Sequence, residues 1–325
     1  MNQLKGIHHI TAITSSAEKI YQYFTDILGL RLVKKTVNQD DIDTYHLFFA
    51  DDIGSPGTDM TFFDFRGIQK GEKGSDEISR IGFRVKSNQA IQYWKKRFEH
   101  YNIDFKEVQM FDRIMLWFED FDGQEYAIVS DELIKGTDGG IAWKKGPVPD
   151  EYGIIGLGPI FLRISNLPRM DHTLVEYLGF EFKSSYKNYS LYEVYKGGNG
   201  ASVIIDHQPK LKRAYPGYGS VHHMAFRIED LEVLNHWIKK LNSIGARHSG
   251  YVDRFYFKSL YTRLYPSILF EFATEGPGFI DDEESYENLG ENLALPPKFR
   301  NKRTEIEKIV RHIDTKPKNY EKEYF

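Results

Sequence analysis

The sequence predicts an α+β fold in which four βαβββ modules form two pseudo-symmetric curved-sheet domains. Three observations carry that reading. A strand, an amphipathic helix and further strands recur along the 325 residues, a length that calls for two domains or a repeat array. A Gly- and Pro-rich stretch over residues 136–149 falls near the middle of the chain and marks a linker. The pair His8-His9 returns as His222-His223, each time beside an apolar strand pattern, so one motif is used twice.

Module 1 takes residues 1–70: a strand at Ile7–Ile13, a helix at Ala17–Leu28, then strands at Tyr45–Ala50 and Met60–Phe65. Its helix shows Ile20, Phe24, Ile27 and Leu28 at helical spacing, with Gly29 as the stop. Module 2, residues 76–131, has a strand at Ile78–Val85, a helix at Asn88–His100 and a last strand near Glu125–Val129. Residues 132–152 form the linker. Module 3, residues 153–208, runs from Gly156–Ile164 through a helix ending at Gly179 to Ser202–Asp206. Module 4, residues 218–276, carries Leu231, Leu234, Ile238 and Leu241 on a helix that stops near Gly245. Residues 277–325 read as a tail: an acidic loop at Asp281–Glu284, a break at Leu295–Pro297, a short helix around Thr304–Ile313 and a polar, frayed end from Asp314.

Strand alternation then sorts the polar side chains. Met224, Phe226 and Ile228 share one face, so His223 projects from the other; Ile268, Phe270 and Phe272 likewise turn Glu271 outward. His9 stands at the same step of its own strand, with Thr11 on the same face. Strict alternation turns His8 and His222 the opposite way, toward the helices. Two imidazoles and a carboxylate make a facial triad that suits Fe(II), with Mn(II) as the alternative ion, and leaves coordination positions open. The place of His9 and His223 is held by Arg80 in module 2 and Pro159 in module 3. Modules 1 and 4 are therefore expected to pair around one cleft, and modules 2 and 3 with each other.

Composition narrows the partners. With 43 Lys+Arg against 47 Asp+Glu and no basic run, a nucleic-acid partner has no support. The absence of cysteine leaves His, Asp and Glu as metal ligands. No apolar stretch is long enough for a membrane span or a signal peptide, so a soluble cytoplasmic protein is expected. A homo-oligomer is compatible with the sequence but not specified by it.

Taken together, these features resemble the vicinal oxygen chelate superfamily. Gly6-Ile-His-His-Ile-Thr11, Tyr45-His-Leu-Phe-Phe-Ala-Asp51, Gly54-Ser-Pro-Gly-Thr58, Val221-His-His-Met-Ala225, Ser259-Leu-Tyr-Thr-Arg263 and Phe270-Glu-Phe272 narrow the resemblance to ring-cleaving dioxygenases that open hydroquinones. It covers essentially the whole chain, including Asp281–Glu284 and Leu289-Gly290. It implies Fe(II) held by His9, His223 and Glu271, a small aromatic substrate and O2, and pocket roles for His8, Thr11, His222, Arg254 and Tyr261. Of these, His222 or His8 is expected as the base, with Tyr261 and Arg254 orienting the substrate or stabilising charge. Removal of toxic quinones and hydroquinones is the implied cellular role.

Two other readings are separable. A glyoxalase-like lyase or isomerase would use four ligands around Zn, Ni or Mn, with Asp64 of Phe62-Phe-Asp-Phe65 as the fourth, in module 1's equivalent of Glu271. A metal-free, drug-sequestering protein of the same fold would not need His9, His223 and Glu271. The remaining histidines, His46, His100, His172, His207, His236, His248 and His312, read as surface or satisfied core residues.

Overall fold

Apolar alternation builds two sheets whose helix-facing sides merge into one core. The computed structural model describes residues 3–280, 283–316 and 318–325. The first sheet contains β1 (Ile7–Ile13), β2 (Arg31–Val37), β3 (Tyr45–Ala50) and β4 (Asp59–Phe63) from the N-terminal part of the chain. To these it adds β13 (Ser220–Ile228), β14 (Val252–Asp253), β15 (Lys258–Tyr265) and β16 (Ile268–Thr274). The second sheet takes β5 (Glu77–Val85), β6 (Phe105–Met110), β7 (Arg113–Glu119), β8 (Glu125–Ser130), β9 (Gly156–Ile164), β10 (Glu181–Tyr186), β11 (Tyr189–Glu193) and β12 (Ser202–His207). Each sheet is eight-stranded, in the orders β14-β15-β16-β13-β1-β4-β3-β2 and β10-β11-β12-β9-β5-β8-β7-β6. The two orders match strand for strand, which is the pseudo-symmetry of two curled α+β domains.

One face of each sheet packs on helices. Ile10, Phe49, Phe62, Met224, Phe226 and Phe270 belong to the same buried cluster as Phe83, Tyr126 and Ile160 of the second sheet. The opposite face differs between the sheets. In the second it is filled by Met110, Met115, Ala127, Val129, Phe161, Leu191 and Ile204, and Arg80 lies over the Trp117 ring at 3.8 Å. In the first, Val33, Phe48, Ala225, Tyr256, Phe257 and Phe279 form a smaller apolar wall and leave a cavity beside it.

The helices follow their caps. Ser16, Ser87 and Asp230 each accept a backbone N–H in the first turn of α1 (Ala17–Gln22), α2 (Asn88–His100) and α4 (Leu231–Ser243). The helix expected over Ala17–Leu28 is α-helical only to Gln22 and continues as a π-turn through Tyr23–Ile27 before Gly29, at φ +63°, ends it. The short helix α3 (Leu167–His172) is extended in the same way by Thr173–Tyr177.

Three features depart from the sequence expectations. Strand β2 is not apparent in the sequence because three of its residues, Arg31, Lys34 and Lys35, are cationic. All three are buried, and each finds an acceptor far along the chain: Arg31 donates to the Asp52 carbonyl, Lys35 to the Ile313 carbonyl, and Lys34 pairs with Glu284 at 2.7 Å. The tail helix, α5 (Arg303–Ile309), ends before Val310, which is extended. The chain beyond it is docked rather than frayed: Lys318 and Tyr320 reach Asp26, and Glu323 meets Arg97 and Tyr101. Of the acidic run, Asp281 and Asp282 lie outside the described residues, as do Met1, Asn2 and Pro317. Among the described residues no helix is long and apolar enough to cross a membrane.

Candidate metal centre

Two β-bulges turn both histidine pairs toward the cleft. Strands β1 and β13 pair antiparallel, Ile7 with Phe226 but His9 with Ala225, so His8 is an extra residue on β1. At the other end Thr11 pairs with His223 and Ala12 with Val221, which makes His222 the extra residue on β13. A bulge breaks period-two alternation. Ile7 and Ile10 can therefore both enter the core while His8 and His9 both leave it. The expectation that His8 and His222 face the helices is thus corrected. His8 and His9 lie against the same Phe257 ring, at 5.2 and 5.0 Å, and His222 lines the cavity with His223.

His9 Nε2, His223 Nε2 and Glu271 Oε2 converge, with separations of 3.1 Å and 3.0 Å from each imidazole to the carboxylate and 3.3 Å between the imidazoles. Atoms that bind one ion at right angles from roughly 2.1 Å stand about 3 Å apart. All three residues are buried. Glu271 Oε2 has no hydrogen-bond partner among the described residues, whereas Oε1 accepts from Ser259 Oγ at 2.5 Å. Burial works against ionisation of Glu271, but the two imidazoles outweigh it and hold the carboxyl well below its usual range. A buried anion with one oxygen unbonded, faced by two ring nitrogens, fits a divalent cation.

Hydrogen bonds fix which nitrogen of His9 is free. The Thr274 carbonyl can only accept, so His8 Nε2, 3.1 Å away, donates to it. Burial pushes the His8 pKa well down, which keeps the ring neutral and leaves a lone pair on Nδ1. His9 Nδ1, at 2.9 Å, must then donate to it. Nε2 of His9 is the atom left for a proton or a metal ion. The pair His222-His223 repeats the Nδ1 to Nδ1 contact at 2.8 Å, but no protein group meets His222 Nε2 among the described residues.

Asp64 is not part of this centre. Strand β4 runs parallel to β1 with Thr61 beside Thr11, and β16 runs parallel to β13 with Glu271 beside Ala225. With His9 and His223 as twins, the twin of Glu271 is Thr61, three residues before Asp64. Asp64 shares only its flanking phenylalanines with Glu271, not its place in the ladder. Its carboxylate instead accepts from the Tyr45 backbone N–H at 2.9 Å and from Arg311 at 2.6 Å.

Thr61 joins a polar row along the cleft. Thr11 Oγ1 lies 3.0 Å from His223 Nε2 and 2.8 Å from Thr61 Oγ1, which lies 2.9 Å from His46 Nε2. His46 is the functional candidate that sequence reasoning passed over. Its ring sits between Phe48 and Phe63, at centroid distances of 4.0 and 4.3 Å. The signal was present: Tyr45, Leu47 and Phe49 take the core face of β3, so His46 and Phe48 must take the cleft face.

The cavity measures about 340 Å³ and is walled by Phe48, Phe63, Phe65, Tyr256, Phe257 and Leu269. Tyr261, paired with Glu271 across the ladder, sets its ring edge-on to His223 at 5.7 Å. Arg254, in the turn after β14, donates from Nε to the Tyr261 hydroxyl at 3.2 Å and pairs with Asp40 at 2.9 Å. Gln39 donates to the Arg254 carbonyl, which orients its amide so that Oε1 is the free acceptor. Thr36 Oγ1, on the same side of the cleft, has no partner among the described residues. His248, half-buried, and His312, exposed, do not line this cavity.

A curled sheet that closes two imidazoles and a carboxylate over an aromatic cavity defines a metal-site fold with an open face. The family described as the Glyoxalase/Bleomycin resistance protein/Dioxygenase superfamily matches residues 6–125. The "Putative ring-cleaving dioxygenase MhqA" of Bacillus subtilis (strain 168) is 38% identical over 317 residues, covering 96% of this chain and 99% of the relative. The chlorohydroquinone/hydroquinone 1,2-dioxygenase of Sphingobium indicum is 30% identical over 314 residues, covering 94% and 95%. Among solved structures, the "putative dioxygenase from Bacillus subtilis subsp. subtilis str. 168" superposes with a TM-score of 0.88 at 32% identity over 97% of this chain and 99% of that one. The chain belongs to this superfamily, and it is an enzyme of the ring-cleaving dioxygenase type.

Proposed function

We propose that the protein opens hydroquinone rings with O2, using Fe(II) held by His9, His223 and Glu271, as a cytoplasmic enzyme that removes quinones and hydroquinones. The observation that carries this reading is the convergence of those three ligand atoms on one side of an aromatic-walled cavity. Bound there, Fe(II) supplies a Lewis-acidic, redox-active centre where a phenol oxygen and O2 can meet.

The chain's own groups divide the remaining work. His8 holds His9 in the tautomer that leaves Nε2 free, and its own Nε2 proton is committed to Thr274, so it is an orienting group rather than a base. With His223 Nε2 engaged, its Nδ1 proton points at His222 Nδ1, and His222 presents an Nε2–H donor to a developing oxyanion. Thr11, fully buried, sets its hydroxyl 3.0 Å from His223 Nε2 and 2.8 Å from Thr61 Oγ1, beside the ligand rather than on the cavity wall. Tyr261 and Arg254 orient the ring. Across the cleft on the β2 side, Gln39 Oε1 and Thr36 Oγ1, which meet no partner among the described residues, can receive a second, remote hydroxyl. That supports a hydroquinone over a catechol, whose hydroxyls are adjacent.

The test is anaerobic Fe(II) reconstitution followed by oxygen uptake against a panel of hydroquinones and catechols. Uptake stoichiometric with loss of a hydroquinone supports the reading; uptake with catechols alone, or none, overturns it.

A further inference from the structure

The cavity over the metal-binding atoms has a neighbour. His222 and Leu269, which line it, also line a second cavity of about 480 Å³. Leu269 stands two residues before Glu271 on β16, and since Ile268 and Phe270 on either side enter the core, it projects to the cleft. His222 is exposed and Leu269 half-buried, so the wall they form between the two cavities reaches solvent. The second cavity draws on both sheets, with Ile13, Val221 and Ile268 from the first and Ile78 from the second.

Its charge is not balanced. Arg213 and Arg263 line it, and neither has an acidic partner among the described residues, although the chain as a whole carries a net charge of −4. Arg213 donates from Nε to the Ser267 hydroxyl at 2.6 Å and also from Nη2, so its only partner is neutral. Ser75 fixes the backbone on both sides of Arg213, accepting from the Ala214 N–H at 2.9 Å and donating to the Lys212 carbonyl at 2.8 Å. Arg263, on β15, makes no hydrogen bond or ion pair among the described residues. Two acids share the wall, and both are engaged elsewhere. Asp76 accepts from the Ser165 N–H at 2.8 Å and from the Tyr265 hydroxyl at 2.9 Å. Glu77 accepts from Arg163 at 2.8 Å and from the Gly74 N–H at 3.1 Å. What the cavity offers a ligand is an apolar wall and two guanidinium groups, which suit a carboxylate.

The geometry points to a carboxylate subsite beside the aromatic cavity, which takes the acidic side chain of a substituted hydroquinone. This rests on the hydroquinone reading above and deepens it by naming a substrate class. The ring would lie in the aromatic-walled cavity, and a short chain would pass Leu269 and His222 to place its carboxylate at Arg213 and Arg263. Neither arginine touches the reacting carbons, so both act on selection and binding.

The test uses Fe(II)-loaded enzyme and three probes: hydroquinone, carboxymethylhydroquinone and the neutral amide of the latter. Anaerobic calorimetry reads binding and oxygen uptake reads kcat/KM. The wild type should favour the acid over the amide by roughly tenfold in both, the scale of one charge-assisted hydrogen bond at an open site. Added salt should shrink that ratio, since exposed charges are screened. In Arg213→Gln/Arg263→Gln the ratio should fall to near one while unsubstituted hydroquinone is turned over as by the wild type. Should loss of Arg213 disturb the turn at Ser267, Arg263→Gln alone decides: it should lower the ratio, and Arg263→Lys should recover part of it. Equal handling of acid and amide by the wild type, or a preference that survives without the arginines, would overturn the subsite and leave the hydroquinone reading standing. If no hydroquinone is turned over, that reading falls. An arginine-dependent preference for the acid in calorimetry would then still establish the carboxylate site, and its absence would remove both.

Discussion

Nδ1 of His8 lies 2.9 Å from Nδ1 of His9, and Nε2 of the same ring lies 3.1 Å from the Thr274 carbonyl oxygen. A backbone atom at the end of β16 thereby sets the tautomer of a side chain on β1. Removing the intermediary should loosen His9 without touching the metal. His8→Phe is expected to weaken metal affinity by roughly tenfold to a hundredfold, the usual cost of losing an outer partner of a ligating imidazole. Metal titration of the folded variant checks this; unchanged affinity would remove the orienting role.

The carboxylate depends on Ser259 as His9 depends on His8. Glu271→Gln keeps the volume but removes the charge that offsets a divalent ion, so iron content should fall sharply. Ser259→Ala leaves Glu271 Oε1 without its 2.5 Å donor and should cost about tenfold in affinity, near the 1–3 kcal/mol of an unsatisfied buried group. Full metal content and turnover in Glu271→Gln would exclude it as a ligand.

Much of this arrangement was legible in the sequence because period-two alternation is strong where both faces matter. Met224, Phe226, Phe270 and Phe272 turn inward as alternation requires, and His223 and Glu271 turn out. What was not legible is register. A one-residue bulge reverses every side chain before it, and nothing in the local composition around His8 or His222 announces one. Asp64 misled for the same reason: it shares flanking phenylalanines with Glu271, but the ladder puts Thr61 in that place. Strand β2 was obscured because its buried lysines are satisfied by Glu284 and Ile313, which only tertiary structure brings near.

Arg311 ties the tail to module 1 through Glu18 and the nearly buried Asp64. Arg311→Leu should destabilise the protein by about 1–2 kcal/mol, less than for a wholly buried pair because the arginine is partly exposed. Adding Asp64→Asn should recover part of that loss, since it removes the carboxylate left alone. The acid limb should change too. The hydrogen bond from Arg311 holds the Glu18 carboxyl down to about 2. That contribution is complete above the unfolded value of about 4.3 and disappears as pH falls toward about 2. In Arg311→Leu the loss over this window should shrink, as thermal melts at a series of acidic pH values would reveal.

The last prediction separates a hydroquinone enzyme from a catechol enzyme, because the same three ligands serve both. A catechol can reach iron through two adjacent oxygens; a hydroquinone offers one, so protein groups must hold its ring in place. Tyr261 stands edge-on to His223, and its hydroxyl accepts from Arg254, which is itself anchored to Asp40. Its ring is fixed by this and by the pairing of its strand with Glu271. Tyr261→Phe leaves the ring and removes the hydroxyl, so iron content should hold while hydroquinone turnover falls by roughly tenfold to a hundredfold, as for one lost bond to a reacting group. Catechol turnover, where measurable, should fall less, since chelation replaces part of the positioning. Equal losses on both substrates would make Tyr261 a general wall of the cavity, and unchanged hydroquinone kinetics would move the assignment to the broader ring-cleaving class.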